Sequence, residues 1–314
     1  MRAAVDPPTV LNHLGGDAAK RILDAVPGTR VVDVPADGPV DDVSGEVLLT
    51  LPWGTPNLGD VVAGGVRWVH SLSTGVDKFP IDALADDVIL TCSRGASAVP
   101  IAEFVLAAML AFEKQLPDVW LREPPEHWAM AELGGLEGRA LGLIGAGGIA
   151  TEVARRALAF GMRACFVRRT DAPAPLAGME RCGLAEVLAA ADHLVVAAPS
   201  TPATRYLLDS DALAGVKPGV HVVNVSRGSL IDQDALIEAL DDGRVARATL
   251  DVADPEPLPS GHPLYGHPRV RLSPHVSWSA PGALGRLLDS FVDNLRSYVA
   301  GEPLAGVVDR VAGY

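Results

Sequence analysis

Residues 141–151 read L-G-L-I-G-A-G-G-I-A-T, and this stretch decides the fold. Its apolar start, residues 141–144, predicts a short buried strand, and the apolar positions after the glycines recur with helical spacing. Gly145 can adopt a turn conformation that a side chain would forbid, and Gly147 lets the backbone approach a pyrophosphate closely. Ala150 is small enough for close packing of the helix on the strand. The stretch therefore predicts a strand, a tight turn and a helix that together hold a dinucleotide.

The predicted helix starts at Gly148 and Ile149, where free backbone N–H groups and the helix dipole favour phosphate. We therefore expect Gly145, Gly147, Gly148 and Ile149 to contact the cofactor. Glycine-rich turns also occur in α/β proteins that bind no nucleotide, so this motif needs support from the rest of the chain.

Length and composition restrict the class of protein. A chain of 314 residues favours two domains, and a formal net charge of −13 gives no overall attraction to nucleic acid or to an anionic membrane. No apolar run approaches the ~18 residues of a membrane helix, and residues 1–8 lack the apolar core of a signal peptide. The three cysteines form no C-x-x-C pair, which argues against a disulfide framework and against a metal site. We expect a cytoplasmic protein.

Strands alternate with helices along the whole chain, which predicts parallel sheets with helical crossovers. The pattern changes near Ser97, where a helix starts close to Pro100 and leads into the second half. We expect two Rossmann-like α/β domains with doubly wound parallel sheets. Residues 1–97 and 281–314 form a discontinuous, flavodoxin-like substrate domain, and residues 98–280 form the dinucleotide-binding domain. Asp232 is an expected helix N-cap, and residues 115–139 are an expected arm or loop.

The end of the second strand of the dinucleotide domain indicates which cofactor binds. NAD-binding sequences place a carboxylate there for the ribose 2′-hydroxyl, whereas this chain has Arg168, Arg169 and Thr170. Guanidinium groups bind a 2′-phosphate through charge-assisted hydrogen bonds, so we expect NADP rather than NAD. The alternative is that the arginines are ordinary surface charges. Pro199, which follows a later strand, is also an expected cofactor contact.

Three polar residues follow the ends of later predicted strands: Arg227, Glu256 and His275. Parallel strands bring such ends to one edge of the sheet. Arg227 can hold a substrate carboxylate, His275 can donate a proton to a carbonyl oxygen, and Glu256 can fix the imidazole tautomer. Each residue alone has an ordinary structural explanation, but together they suit hydride transfer to a carbonyl.

The whole chain resembles the D-isomer-specific 2-hydroxyacid dehydrogenase family, in its glyoxylate and hydroxypyruvate reductase branch. The resemblance rests on six segments that occur in the family's order: Gly75-Val76-Asp77, Pro100-Ile101-Ala102-Glu103, residues 145–150, Val223 to Gly228, Asp251 to Pro259, and Ser273-Pro274-His275.

The resemblance implies that Arg227, Glu256 and His275 are the catalytic residues and that Asp251 lies near the nicotinamide carboxamide. It also implies that backbone N–H groups of residues 74–76 (Thr74, Gly75 and Val76) bind the substrate carboxylate, and that the protein is a homodimer joined through its dinucleotide domains.

Trp278 departs from the small residues that many members have after the catalytic histidine, and the loop that carries Trp53 is also bulky, so substrates other than the usual small ones are candidates as well. Both indoles are candidate substrate contacts, with packing between domains as the alternative.

We therefore expect an NADPH-dependent reductase that interconverts a 2-oxo acid, such as glyoxylate or hydroxypyruvate, and a D-2-hydroxy acid. One alternative is the same scaffold acting on a bulkier or biosynthetic oxo acid. A second is a dinucleotide-sensing binding protein that resembles the family's corepressors.

Overall fold

The computed structural model describes residues 7–40, 42–128 and 131–314. Residues 1–6, on which part of the signal-peptide argument rests, and residues 129–130 of the expected arm lie outside the described residues. The chain divides into two compact units. Unit 1 comprises Met1–Ser97 and Ala280–Tyr314, and unit 2 comprises Ala98–Ser279.

The described residues form parallel strands and helices in alternation. The strands are β1 (Thr9–Asn12), β2 (Arg30–Asp33), β3 (Val47–Thr50), β4 (Trp68–Ser71), β5 (Ile89–Cys92), β6 (Ala140–Ile144), β7 (Arg163–Val167), β8 (Met179–Arg181), β9 (His193–Val196), β10 (Val220–Asn224), β11 (Val245–Leu250) and β12 (Val270–Leu272). The helices are α1 (Gly16–Ala25), α2 (Leu58–Ala63), α3 (Ala98–Glu113), α4 (Gly148–Ala159), α5 (Leu184–Ala190), α6 (Ser210–Ala214), α7 (Gln233–Asp241), α8 (Pro263–Gly266) and α9 (Ala283–Ala300).

Unit 1 is built on a parallel sheet in the order β2-β1-β3-β4-β5. The chain returns to this unit through α9, whose Phe291 and Tyr298 stack on Trp68 of β4 at ring-centroid distances of 5.4 and 5.3 Å. Next to them, His70 is fully buried, with Nδ1 2.7 Å from Thr91 Oγ1. Burial lowers the pKa of His70 to about 3, so this imidazole is neutral in the folded protein.

Unit 2 contains a seven-stranded parallel sheet in the order β12-β11-β10-β9-β6-β7-β8. The order reverses between β6 and β9, and in open α/β sheets ligands bind at the carboxyl ends of strands beside such a reversal. The predicted fold class of doubly wound parallel sheets is confirmed.

Local sequence explains why the central elements form where they do. All five residues of β6 are buried, as expected for a strand covered on both faces. Asp232 accepts hydrogen bonds from the backbone N–H groups of Asp234 and Ala235, which confirms it as the N-cap of α7. Within the described part of the chain, no helix is long and apolar enough to cross a membrane.

Candidate active site

Three neighbouring strands of unit 2 end at the same edge of the sheet and lead to the predicted catalytic residues. Arg227 follows β10, Glu256 lies in the loop after β11, and His275 follows β12. Since β10, β11 and β12 are hydrogen-bonded neighbours, the sheet brings these segments together although they are distant in sequence.

His275 and Glu256 are in direct contact. Nδ1 of His275 lies 3.1 Å from Oε2 of Glu256, and the other carboxylate oxygen accepts a hydrogen bond of 3.2 Å from the backbone N–H of Ala253. A carboxylate only accepts, so Nδ1 of the imidazole carries the proton of this bond. Nε2 is then the nitrogen that can exchange a proton with a substrate.

His275 adopts a left-handed backbone conformation, with φ 54°, which is unfavourable for a residue with a side chain. Its backbone is held on both sides, because its N–H donates to the Asp251 carbonyl at 2.8 Å and its carbonyl accepts from Nε1 of Trp278 at 3.0 Å. Strained backbone of this kind persists only where the surroundings fix it, and it is frequent at functional sites.

Asp251 organises the turn that carries His275. Its buried carboxylate accepts hydrogen bonds from Ser273 Oγ at 2.6 Å and from the N–H groups of Val276 and Ser277 at 2.9 and 2.8 Å. The nicotinamide contact implied for this residue stays a prediction, whereas its position under the histidine turn is a finding that the sequence did not indicate.

Arg227 is positioned by the buried Asn224 at the end of β10. Asn224 Nδ2 donates to the Arg227 carbonyl at 2.9 Å, and Asn224 Oδ1 accepts from the Ser226 N–H at 3.0 Å. The Arg227 guanidinium donates from Nη1 to the Ser226 carbonyl at 2.7 Å. The backbone on both sides of Arg227 is therefore fixed by one side chain.

The glycine-rich turn after β6 fits a dinucleotide pyrophosphate. Gly145 has φ 109°, and a Cβ placed on it would lie 2.6 Å from the carbonyl oxygen of Ala197. Around Gly147, by contrast, a Cβ would meet nothing within 4 Å, and no side chain caps the start of α4 at this residue. The first N–H groups of α4, beginning at Gly148 and Ile149, are thus available for phosphate oxygens. Ala150 is fully buried, as close helix packing requires.

The predicted 2′-phosphate residues follow β7 directly. Arg168 is half-buried and donates to the Pro173 carbonyl at 3.3 Å, while Arg169 and Thr170 are exposed. The nearby carboxylate of Asp171 lies 2.8 Å from Nη2 of Arg181. After β9, the Pro199 carbonyl accepts a hydrogen bond from Thr204 Oγ1 at 2.7 Å.

The remaining predicted substrate contacts are distributed over the two units. Trp278 belongs to unit 2 and packs against its buried core. Trp53, with 64% of its surface exposed, and residues 74–76 belong to unit 1. Residues 74–76 (Thr74, Gly75 and Val76) follow β4, where Ser73 Oγ donates to the Gly75 carbonyl at 2.6 Å. Among the residues that the structure describes, no group of three or more His, Cys, Asp or Glu side chains is placed to hold a metal ion.

Comparison with known proteins decides the family. A family model described as D-isomer specific 2-hydroxyacid dehydrogenase, NAD binding domain, matches residues 106–277. The chain belongs to this family. The resemblance drawn from the sequence is therefore confirmed, and the protein is an oxidoreductase with an NAD(P)-binding domain.

Individual relatives are similar in sequence over most of this chain. It is 30% identical to glyoxylate/hydroxypyruvate reductase A of Serratia proteamaculans over 88% of this chain and 90% of the relative. It is 34% identical to D-3-phosphoglycerate dehydrogenase of Mycobacterium tuberculosis over 99% of this chain, which spans 57% of that relative. A solved structure from Xanthobacter autotrophicus Py2, a D-isomer specific 2-hydroxyacid dehydrogenase in complex with NADPH and MES, superposes with a TM-score of 0.83 at 28% identity. That superposition covers 99% of this chain and 100% of the other.

Proposed function

We propose that the protein reduces a small 2-oxo acid, of the glyoxylate or hydroxypyruvate type, to a D-2-hydroxy acid with NADPH. The observation that carries this proposal is the 3.1 Å contact between His275 and Glu256 at the sheet edge where the strand of Arg227 also ends. A 2-oxo acid offers a carboxylate and a carbonyl, which are the two groups that a guanidinium and an imidazolium bind.

Each residue has one task in this reaction. Arg227 binds the substrate carboxylate and so orients the adjacent carbonyl. Protonated His275 donates a proton from Nε2 to the carbonyl oxygen, because Nδ1 is held by Glu256. Glu256 stabilises the imidazolium and keeps the ring in place. The dinucleotide, when bound, supplies the hydride.

The preference for NADPH rests on Arg168 and its neighbours after β7. Two guanidinium groups and the hydroxyl of Thr170 favour a 2′-phosphate. The only carboxylate within that short segment, on Asp171, is paired with Arg181 in the described structure. The relative from Xanthobacter autotrophicus Py2, which was solved with NADPH, supports the same preference.

A bulkier, biosynthetic acid is the second candidate substrate. The 34% identity to D-3-phosphoglycerate dehydrogenase favours it. On unit 1, residues 74–76 (Thr74, Gly75 and Val76) are the proposed donors to the substrate carboxylate in both cases.

We also propose that the enzyme is a homodimer. Trp120 and Trp128 follow α3 with 66% and 89% of their surfaces exposed, and Leu121 beside them is exposed as well. Large exposed apolar side chains in one segment are typical of a protein interface. Light scattering after size exclusion should give twice the mass of the chain, and Trp120→Ser should lower that mass.

Turnover measurements test the function directly. The purified protein is assayed with NADPH and NADH against glyoxylate, hydroxypyruvate, larger 2-oxo acids and, in the oxidative direction, 3-phosphoglycerate. We expect NADPH-dependent reduction of a small 2-oxo acid, with a D-configured product on chiral chromatography. Cofactor binding without turnover of any acid would contradict the proposal and favour a dinucleotide-sensing protein.

A further inference from the structure

The loop that carries Glu256 is held by a side chain that the proposed chemistry does not use. Gln233 is the first residue of α7, and its side-chain amide pairs with both polar backbone atoms of Asp254. Its Nε2 donates to the Asp254 carbonyl at 2.6 Å, and its Oε1 accepts from the Asp254 N–H at 3.2 Å. We call this pair of hydrogen bonds the Gln233 clamp.

The clamp requires a residue that both donates and accepts. A glutamate at this position keeps the acceptor but loses the donor to the carbonyl, and a leucine of similar size loses both. Gln233 itself is anchored independently of the loop. The cap of α7 is made by Asp232, and the helix is fixed to the core through buried apolar residues such as Leu236.

The clamp is close to the groups that transfer the proton. From Asp254 the chain runs two residues to Glu256, whose Oε1 is bound by the N–H of Ala253 and whose Oε2 contacts His275. A second tie to Asp254 comes from Arg205, at 3.6 Å, but both side chains of this ion pair are substantially exposed. Exposed pairs contribute little, so the Gln233 clamp is the stronger constraint on the loop.

We propose that Gln233 is a positioning residue, which holds the backbone of Asp254 so that the carboxylate of Glu256 meets Nδ1 of His275. This inference rests on the proposed function, because it assumes that the pair between His275 and Glu256 transfers the substrate proton. Gln233 touches neither the substrate nor the cofactor in this proposal. It acts only through the loop.

Two variants, Gln233→Leu and Gln233→Glu, test the proposal, with Asp234→Asn at the exposed next position of α7 as a matched control. A reacting group displaced by about 1 Å costs on the order of 100-fold in rate, so we expect kcat to fall roughly 10-fold to 100-fold in Gln233→Leu. Gln233→Glu keeps the hydrogen bond from the Asp254 N–H but turns a carboxylate oxygen towards the Asp254 carbonyl, so its kcat should fall as well. In both Gln233 variants the KM for the 2-oxo acid and the Kd for NADPH should stay within about two-fold of wild type. In the control Asp234→Asn, kcat, KM and Kd should all stay within that limit.

A spectroscopic measurement separates positioning from a general loss of structure. The ¹⁵N and ¹H signals of the His275 imidazole, assigned by their absence in His275→Gln, report the hydrogen bond at Nδ1. We expect that bond to weaken in Gln233→Leu in proportion to the loss of kcat. The melting temperature of Gln233→Glu should equal that of wild type.

An unaltered kcat in both Gln233 variants overturns the inference, and so does a lower kcat with unchanged His275 signals. Full turnover by His275→Gln would instead refute the proposed function, so the two failures are distinguishable.

Discussion

Gly228 allows two backbone segments of the candidate active site to approach more closely than any other residue would permit. A Cβ placed on this buried glycine would lie 1.9 Å from the carbonyl carbon of Ala253, 2.3 Å from its oxygen and 2.4 Å from the nitrogen of Asp254. The first segment continues from Arg227, and the second leads to Glu256. The variant Gly228→Ala therefore pushes apart the two loops that carry these side chains.

The size of the effect follows from the contact distances. Non-bonded carbon atoms pack at about 3.5 Å or more, so the added methyl group requires the backbone at Gly228 and the backbone at Ala253 to move apart by roughly 1.5 Å. A shift of this size at reacting groups lowers the rate on the order of 100-fold, which corresponds to about 2.7 kcal/mol of transition-state stabilisation. Overpacking of a filled site also costs roughly 1–3 kcal/mol of folding stability.

Steady-state kinetics of Gly228→Ala, with the free energy of unfolding from urea titration, measure both effects. We expect kcat/KM to fall about 100-fold while NADPH still binds, because the glycine-rich turn after β6 is a different segment of unit 2. The matched control is Gly266→Ala, since a Cβ there meets nothing within 4 Å, and it should keep wild-type rate and stability. Wild-type kcat/KM in Gly228→Ala would falsify the argument that this close approach positions the catalytic loop.

Three further variants address the cofactor, the proton and the pH dependence of stability. Arg168→Asp should raise the Kd of NADPH about 100-fold and that of NADH by less than roughly three-fold, because only NADPH has a phosphate at this position; equal losses in fluorescence titrations would contradict the assignment. Glu256→Gln removes the carboxylate that we propose stabilises the His275 imidazolium, so kcat should fall about 10²-fold to 10⁴-fold with unchanged NADPH affinity; an unchanged kcat would show that the carboxylate is not needed. His70 has its pKa lowered to about 3 in the folded protein, so the unfolded chain binds the additional proton and stability falls as the pH drops from about 6.5 towards 3. This group should account for about 2 kcal/mol between pH 6.5 and 4.5. Urea titrations of His70→Asn should show a shallower pH dependence than wild type; equal slopes would contradict the burial argument.

The sequence predicted the fold best where the hydrophobic pattern and the glycines agree. The strand β6 and the start of α4 lie where the pattern of residues 141–151 predicts them, because the sequence shows both an apolar run and a turn that only glycine permits. The short strands β1 and β8 are less evident in the sequence, and their pairing with neighbouring parallel strands defines them.

The sequence predicted the residue types of the candidate site better than the hydrogen bonds that hold those residues in place. Polar residues after successive strands pointed to Glu256 and His275, and the structure brings these two side chains into contact. The left-handed backbone of His275, the anchoring carboxylate of Asp251 and the Gln233 clamp were not predictable. They depend on contacts between segments about 20 residues apart or more, which no local pattern records.

The central claim is that His275 donates the proton to the substrate. Single-turnover oxidation of NADPH by His275→Gln tests it most directly. The variant is mixed with saturating NADPH and the best 2-oxo acid, and the decay of nicotinamide absorbance is followed beside wild type. General acid catalysis contributes about 10²-fold to 10⁴-fold, so the rate should fall by that factor while the Kd of NADPH stays within about two-fold. A variant that binds NADPH normally and oxidises it at more than about a tenth of the wild-type rate would contradict the account, because a tenfold loss lies below that range.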